Sequence, residues 1–117
     1  MLVIRQQQMD AMNARLMQRF EAAETARIAQ DFPEQYARLG GADAARRFVR
    51  DVVKRATDYE IYAEPDLSTF IDIAVKNGKT FEERDDLAWA AEILRDRSLG
   101  GDTKVGLIAG RLELQGM

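Results

Sequence analysis

The chain has 117 residues, of which 46% are hydrophobic and 32% charged, the length and composition of one folded domain. It contains no cysteine and no histidine, which excludes a disulfide framework, a thiolate nucleophile, an imidazole base and a Cys/His zinc site. Its net charge of −3 disfavours a general binder of nucleic acids. We therefore expect a single domain over residues 1–117.

The first predicted element is a long helix over residues 5–31, preceded by an apolar arm at residues 1–4. This stretch contains neither glycine nor proline and is rich in good helix formers. Phe32-Pro33 ends it, because proline removes a backbone donor and disfavours helical geometry at the residue before it. The apolar stripe predicted for this helix consists of Met9, Met12, Leu16, Phe20, Ala23 and Ile28.

Two further helices are predicted in the first half of the chain. Pro33 opens a short helix that ends at Leu39, where Gly40-Gly41 follows. The next helix covers residues 42–57, and residues 59–62 form an extended, partly buried connection. The inward face predicted for this third helix consists of Ala45, Phe48, Val49, Val52, Val53 and Ala56.

The second half of the chain adds three helices, so we predict an all-α, compact bundle of five to six helices. One helix begins at Glu64-Pro65-Asp66 and ends at Asn77-Gly78. A polar loop over residues 79–86 leads into a helix over residues 86–96, and Asp102 caps the last helix. The predicted core positions are Leu67, Phe70, Ile71, Ala74 and Val75, then Leu87, Ala90, Ile93 and Leu94, then Val105, Ile108 and Leu112.

Carboxylates are the main residues left for catalysis or metal binding. Glu82, Glu83, Asp85 and Asp86 lie close together, but they lack the alternate ligand spacing and the glycine turn of a calcium loop. We interpret them as a solvated loop in which Asp85 or Asp86 caps the next helix. Asp72 is flanked by isoleucines, so it is either an acid with a tuned pKa or an ordinary helix residue, exposed or tied to an arginine. We expect no catalytic residue, no metal and no cofactor.

A basic stripe on the third helix is the feature that could indicate DNA binding. Arg46, Arg50 and Lys54 recur at intervals of four, which places them on one face. Asp43 and Asp51 dilute this face, and we interpret it as solvated. A DNA-binding helical domain remains an alternative.

Protein binding fits the remaining features better. Methionine is an adaptable contact residue, and Met9 and Met12 belong to the first helix. An apolar tripeptide of Leu2, Val3 and Ile4 precedes that helix and can either pack into the core or add to a partner's sheet edge. We predict these five residues as the contacts with a protein partner.

Short motifs spread along most of the chain carry a family resemblance. The chain resembles small all-helical bacterial proteins whose genes lie among type VI secretion spike and effector genes. It departs from their pattern at Glu60, where they tend to have glycine, and at Ala88, where they tend to have proline. The motifs are Val3-Ile4-Arg5, Gln8-Met9, Phe32-Pro33-Glu34, Leu39-Gly40, Tyr59-Glu60-Ile61, Phe70-Ile71-Asp72-Ile73, Gly78, Phe81, Leu87-Ala88-Trp89-Ala90 and Ile93-Leu94.

The resemblance implies a non-catalytic accessory role, as an adaptor or chaperone for a secretion effector or spike component. The sequence shows no export signal and no apolar run of membrane-spanning length, so we expect a cytoplasmic protein with no membrane partner. A second hypothesis is an immunity protein that blocks the basic site of a toxin with Glu82, Glu83, Asp85 and Asp86.

Overall fold

The structure is a computed structural model that describes residues 14–114. Six α-helices form this part of the chain, which confirms the predicted all-α fold. Two short 3-10 turns, Phe81–Glu83 and Asp85–Leu87, precede the fifth helix. The helices are α1 (Ala14–Asp31), α2 (Pro33–Leu39), α3 (Ala42–Asp58), α4 (Glu64–Asn77), α5 (Ala88–Arg95) and α6 (Gly101–Leu114).

Proline and glycine set several of the helix ends, as predicted. Pro33 is the first residue of α2, and Pro65 lies in the first turn of α4. Gly40 follows α2 with φ of 111°, and Gly78 follows α4 with φ of 110°. Both values lie in a region that residues with a Cβ rarely adopt. A Cβ on Gly40 would also lie 3.2 Å from the Cβ of Ala44.

The acidic segment before α5 differs from its prediction. It forms the two 3-10 turns rather than an open loop, and Phe81 anchors it with its ring centroid 5.5 Å from that of Phe70. Neither Asp85 nor Asp86 caps α5, since Leu87 occupies the N-cap position and no side chain bonds there. Asp102 likewise lies inside the first turn of α6 rather than at its N-cap, because α6 begins at Gly101.

The connection between α3 and α4 contains an uncommon backbone conformation. Glu60 has φ of 64°, in the left-handed region that glycine adopts most readily. Its neighbour Ile61 is fully buried. Ala88 is the first residue of α5, a position well suited to proline. Glycine at position 60 and proline at position 88 would therefore both suit the observed backbone.

One hydrophobic core joins α1, α3, α4, α5 and α6. The buried face of α1 is rotated from the predicted stripe: Leu16 is 40% exposed and Ala23 is exposed, whereas Met17 is buried. No described helix combines the length and the apolar character needed to cross a membrane. Fully buried core side chains include Val49, Val52, Leu67, Phe70, Ile71 and Ile108.

Two glutamates lie on the buried face of α1, and each is paired with an arginine. Glu21 accepts two bonds from Arg50 of α3, of 3.1 and 3.3 Å. Glu24 accepts two bonds from Arg27, the shorter of 2.7 Å, and Arg27 also lies 2.7 Å from Asp72 of α4. The Glu21–Arg50 pair connects α1 to α3, and the Arg27–Asp72 pair connects α1 to α4.

We expect Arg27→Ala to destabilise the fold by about 2 kcal/mol, because it leaves the buried carboxylate of Glu24 without its charged partner. Urea denaturation measures the change. Arg19→Ala, which removes an exposed arginine from the same helix, should change stability by less than about 0.5 kcal/mol. Equal effects of the two substitutions would contradict a special role for Arg27.

Candidate functional site

An apolar groove lies where α2, α3 and the end of α4 meet, and we name it the Phe48 groove. It encloses about 410 Å³. Its apolar surface comes from Leu39 of α2, Phe48 of α3 and Val75 of α4. The full lining is Gln35, Arg38, Leu39, Phe48, Ala74, Val75, Gly78 and Lys79.

The side chains of this groove are only partly covered by the fold. Phe48 and Val75 belong to the predicted core faces of α3 and α4, yet both are half-buried, as is Leu39. The helix α2 packs against α1 and α3 but has only seven residues, a length of about 10 Å. It therefore covers only part of the apolar surface that α3 and α4 present beside it.

The charged residues that line the groove are both cations. Arg38 lies in the last turn of α2, and Lys79 follows the end of α4. Arg38 is 3.5 Å from Glu34 and Lys79 is 3.2 Å from Asp51, and all four side chains are at least 44% exposed. Exposed ion pairs of this kind contribute little to stability, so both cations are available to an acidic partner.

Three other grooves on the described part of the chain carry charges of both signs. The largest of the three, about 510 Å³, is lined by Arg19, Glu24 and Glu64 beside Leu16 and Phe20. The groove next to α6 likewise combines Asp72 and Glu113 with Lys76, and the groove at the end of α3 combines acids with arginines. Among these four grooves, the Phe48 groove combines a half-buried apolar floor with charged lining residues of a single sign.

The acidic segment is largely occupied by contacts within the chain. The Glu82 side chain is completely buried, 2.5 Å from Arg55, and accepts a 2.8 Å bond from the Tyr59 hydroxyl. Glu83 also pairs with Arg55, at 3.0 Å. Asp86 accepts two bonds from the guanidinium of Arg84. Glu82 therefore offers no exposed carboxylate to a partner, whereas Glu83, Asp85 and Asp86 are exposed, so the immunity-protein hypothesis stays a prediction with three of its four acids at the surface.

The basic stripe of α3 is also engaged within the fold. Arg50 binds Glu21 through two nitrogens, and Arg46 lies 3.7 Å from the same carboxylate. Lys54 is exposed. A stripe whose arginines share a buried glutamate presents less positive charge to a phosphate backbone than the sequence suggests. The stripe remains exposed at Arg50 and Lys54 and partly exposed at Arg46, so the DNA-binding hypothesis stays a prediction, with part of the positive charge offset by Glu21.

The remaining candidate residues have structural partners or lie outside the described residues. Asp72 is tied to Arg27, as one of its two interpretations predicted. Among residues 14–114, no group of three or more acidic side chains is placed to hold a metal ion. The five predicted partner contacts, Leu2, Val3, Ile4, Met9 and Met12, all lie outside the described residues.

A buried lysine is one of the polar core residues that the sequence analysis did not identify. Lys104 is 1% exposed, and its ammonium donates a 2.7 Å bond to the Tyr59 carbonyl at the C-terminal end of α3. A cation at this end of a helix is favoured by the helix dipole. The sequence pattern could have predicted its burial, because Lys104 precedes Ile108 and Leu112 at intervals of four and so lies on the same buried stripe of α6.

Comparison of the chain with family models, with curated proteins and with solved structures finds no match in any of the three.

The Tyr59–Glu82 contact predicts a loss of stability in alkali. Burial, reinforced by the bond to Glu82, raises the pKa of Tyr59 to about 12 from the ordinary value of 10.0. The folded chain therefore holds this proton more tightly than the unfolded chain does. The resulting stability is complete below about pH 10 and is lost as the pH rises to about 12.

Denaturation of the parent chain and of Tyr59→Phe at several pH values between 9 and 12 measures this contribution. Tyr59→Phe should lose less stability across that window than the parent chain, because it has no proton to release there. Tyr62→Phe, which keeps the Tyr59–Glu82 bond, is the matched control and should follow the parent. Identical slopes for all three would contradict the assignment.

Proposed function

We propose that this chain is a non-catalytic accessory protein that binds a segment of another protein in the Phe48 groove. The bound segment carries apolar side chains flanked by carboxylates. The observation that carries the proposal is the combination of half-buried Leu39, Phe48 and Val75 with the exposed cations Arg38 and Lys79 at the same groove.

The physical basis of binding is the burial of apolar surface together with charge complementarity. Phe48 is an aromatic side chain in a concave site, the kind of residue that contributes most to protein interfaces. Arg38 and Lys79 favour acidic segments and disfavour basic ones, so they contribute selectivity and association rate more than affinity. Covering the groove would also complete the burial of side chains that belong to the inward faces of α3 and α4.

The cellular role that we propose is that of a cytoplasmic adaptor or chaperone for a type VI secretion effector or spike component. This context is supported by the sequence resemblance alone, and it stays a prediction. A chaperone needs an adaptable apolar surface that shields a segment of its client, and the Phe48 groove has that character.

Affinity capture from the native host, followed by binding measurements with the purified protein that it identifies, tests the proposal. We expect Phe48→Glu to weaken binding of that protein by roughly thirtyfold, the effect of a central interface residue. Leu107→Glu is the matched control: Leu107 is 48% exposed but lies on α6, away from the groove. It should bind like the parent chain.

Because Phe48 is half-buried, a second variant keeps the test decisive if Phe48→Glu fails to fold. Arg38→Glu combined with Lys79→Glu changes only exposed side chains, and should weaken binding by about tenfold. Lys54→Glu, on the exposed face of α3, is its control. The groove is refuted as the binding site if the double variant binds the partner as tightly as the parent chain does, and Phe48→Glu either fails to fold or also binds like the parent.

The N-terminal contacts predicted from the sequence have their own test. Charge replacement at Val3 and Met9 should abolish co-purification with the partner while helicity by circular dichroism stays intact. If co-purification is unchanged, this segment is not a contact, and the groove variants alone decide the proposal.

A further inference from the structure

We propose that the segment bound in the Phe48 groove is an amphipathic α-helix that inserts a few apolar side chains and carries acidic residues on its flanks. This inference rests on the proposed function, since it specifies the conformation and charge of the partner segment. It follows from the groove's walls, its volume and the placement of its cations.

The groove is built by helices and by the turn that follows α4. No residue that lines it lies in a strand, so it offers no strand edge that an extended peptide could join. Phe48 is its single aromatic lining residue, whereas grooves that recognise extended proline-rich segments are lined with several aromatic side chains. Of the common modes of peptide recognition, a helix laid into an apolar groove fits these walls.

The volume limits how much of the partner enters. About 410 Å³ is at the lower end of the range of pockets that hold drug-sized ligands. That space accepts a few side chains but not a helix with its backbone. The bound helix therefore lies across the opening and inserts residues spaced at i, i+3 or i+4, and i+7, the positions that share one helical face.

The cations lie on different elements of the groove lining. Arg38 belongs to α2, whereas Lys79 follows α4, and Leu39, Phe48 and Val75 form the apolar surface of the same groove. A helix whose apolar side chains fill the groove therefore lies near Arg38 of α2 and near Lys79, which follows α4. Carboxylates on the flanks of its apolar stripe would pair with both, as potentials across specific interfaces commonly match.

Four matched synthetic peptides of about 18 residues, or five helical turns, test this inference against the full chain. The first has leucines at i, i+4 and i+7 flanked by glutamates. The second replaces the glutamates with lysines. The third has the composition of the first, with the leucines distributed around the helix. The fourth is the first with a central proline, which breaks the helix. NMR titration of the isotope-labelled chain measures both affinity and location.

We expect the first peptide to bind and to shift the signals of Leu39, Phe48 and Val75. The third and fourth should bind at least about tenfold more weakly, and the second should also bind more weakly, by a factor that shrinks as salt is added. Arg38→Glu with Lys79→Glu should reverse the preference between the first two peptides, whereas Lys54→Glu should not.

Three outcomes overturn the inference: no detectable binding of the first peptide, equal binding of the proline peptide, or signal shifts outside the groove. Its failure is distinguishable from failure of the proposed function. If Phe48→Glu still abolishes binding of the identified partner while the proline peptide binds as well as the first, the groove binds protein segments that are not helical. If Phe48→Glu leaves partner binding intact, the proposed function itself is wrong.

Discussion

The packing of α1 depends on two carboxylates that the fold withdraws from water. Glu21 is 4% exposed and Glu24 is 7% exposed, and burial of an ionised group is costly unless a partner of opposite charge compensates it. Arg50 compensates the first, and Arg27 the second while also reaching Asp72. A rotation or a one-turn shift of α1 would separate Glu21 from Arg50 and Arg27 from Asp72, whereas aliphatic contacts alone would tolerate it. The pairs thereby specify how α1 lies on α3 and α4.

This placement of α1 has a consequence on the other side of α3. With α1 held against Arg50 and the valines of α3, the short helix α2 is the element that lies beside Phe48. Seven residues are too few to cover Phe48 and Val75 completely. The Phe48 groove is thus a surface that the fold leaves open, and an uncovered apolar surface beside charges of one sign is a feature typical of binding sites.

Two buried charges hold elements of the fold together: Glu82, a candidate for metal or toxin binding in the sequence, and Lys104, which the sequence analysis did not single out. Glu82 joins the turn before α5 to Arg55 and Tyr59 of the α3 end, and Lys104 joins α6 to the same end through the Tyr59 carbonyl. These contacts place polar groups in the interior where each finds a partner. The cations left at a concave apolar surface, Arg38 and Lys79, had no distinguishing pattern in the sequence, because only the fold brings them together.

The sequence by itself determined the helical fold class and most helix ends. Proline at positions 33 and 65 and glycine at positions 40 and 78 act through steric restrictions on their own backbone, which need no tertiary contact to take effect. Periodicity also identified the buried faces of α3 and α4 almost completely, since apolar residues at helical spacing must find a common neighbour.

Tertiary structure alone decided which of these faces stay covered and which polar groups enter the core. The spacing of apolar residues assigned Phe48 and Val75 to the core, and Leu16 and Ala23 to the buried stripe of α1. Such a pattern treats every apolar residue alike and never assigns a glutamate to a buried face. The observed rotation of α1 instead buries Glu21 and Glu24, whose partners are 29 and 3 residues away. The distant Glu21–Arg50 pair leaves no periodic trace in a single sequence, and the local Glu24–Arg27 pair looks like any exposed i,i+3 pair until the fold buries it. A groove shared by three helices leaves no trace either.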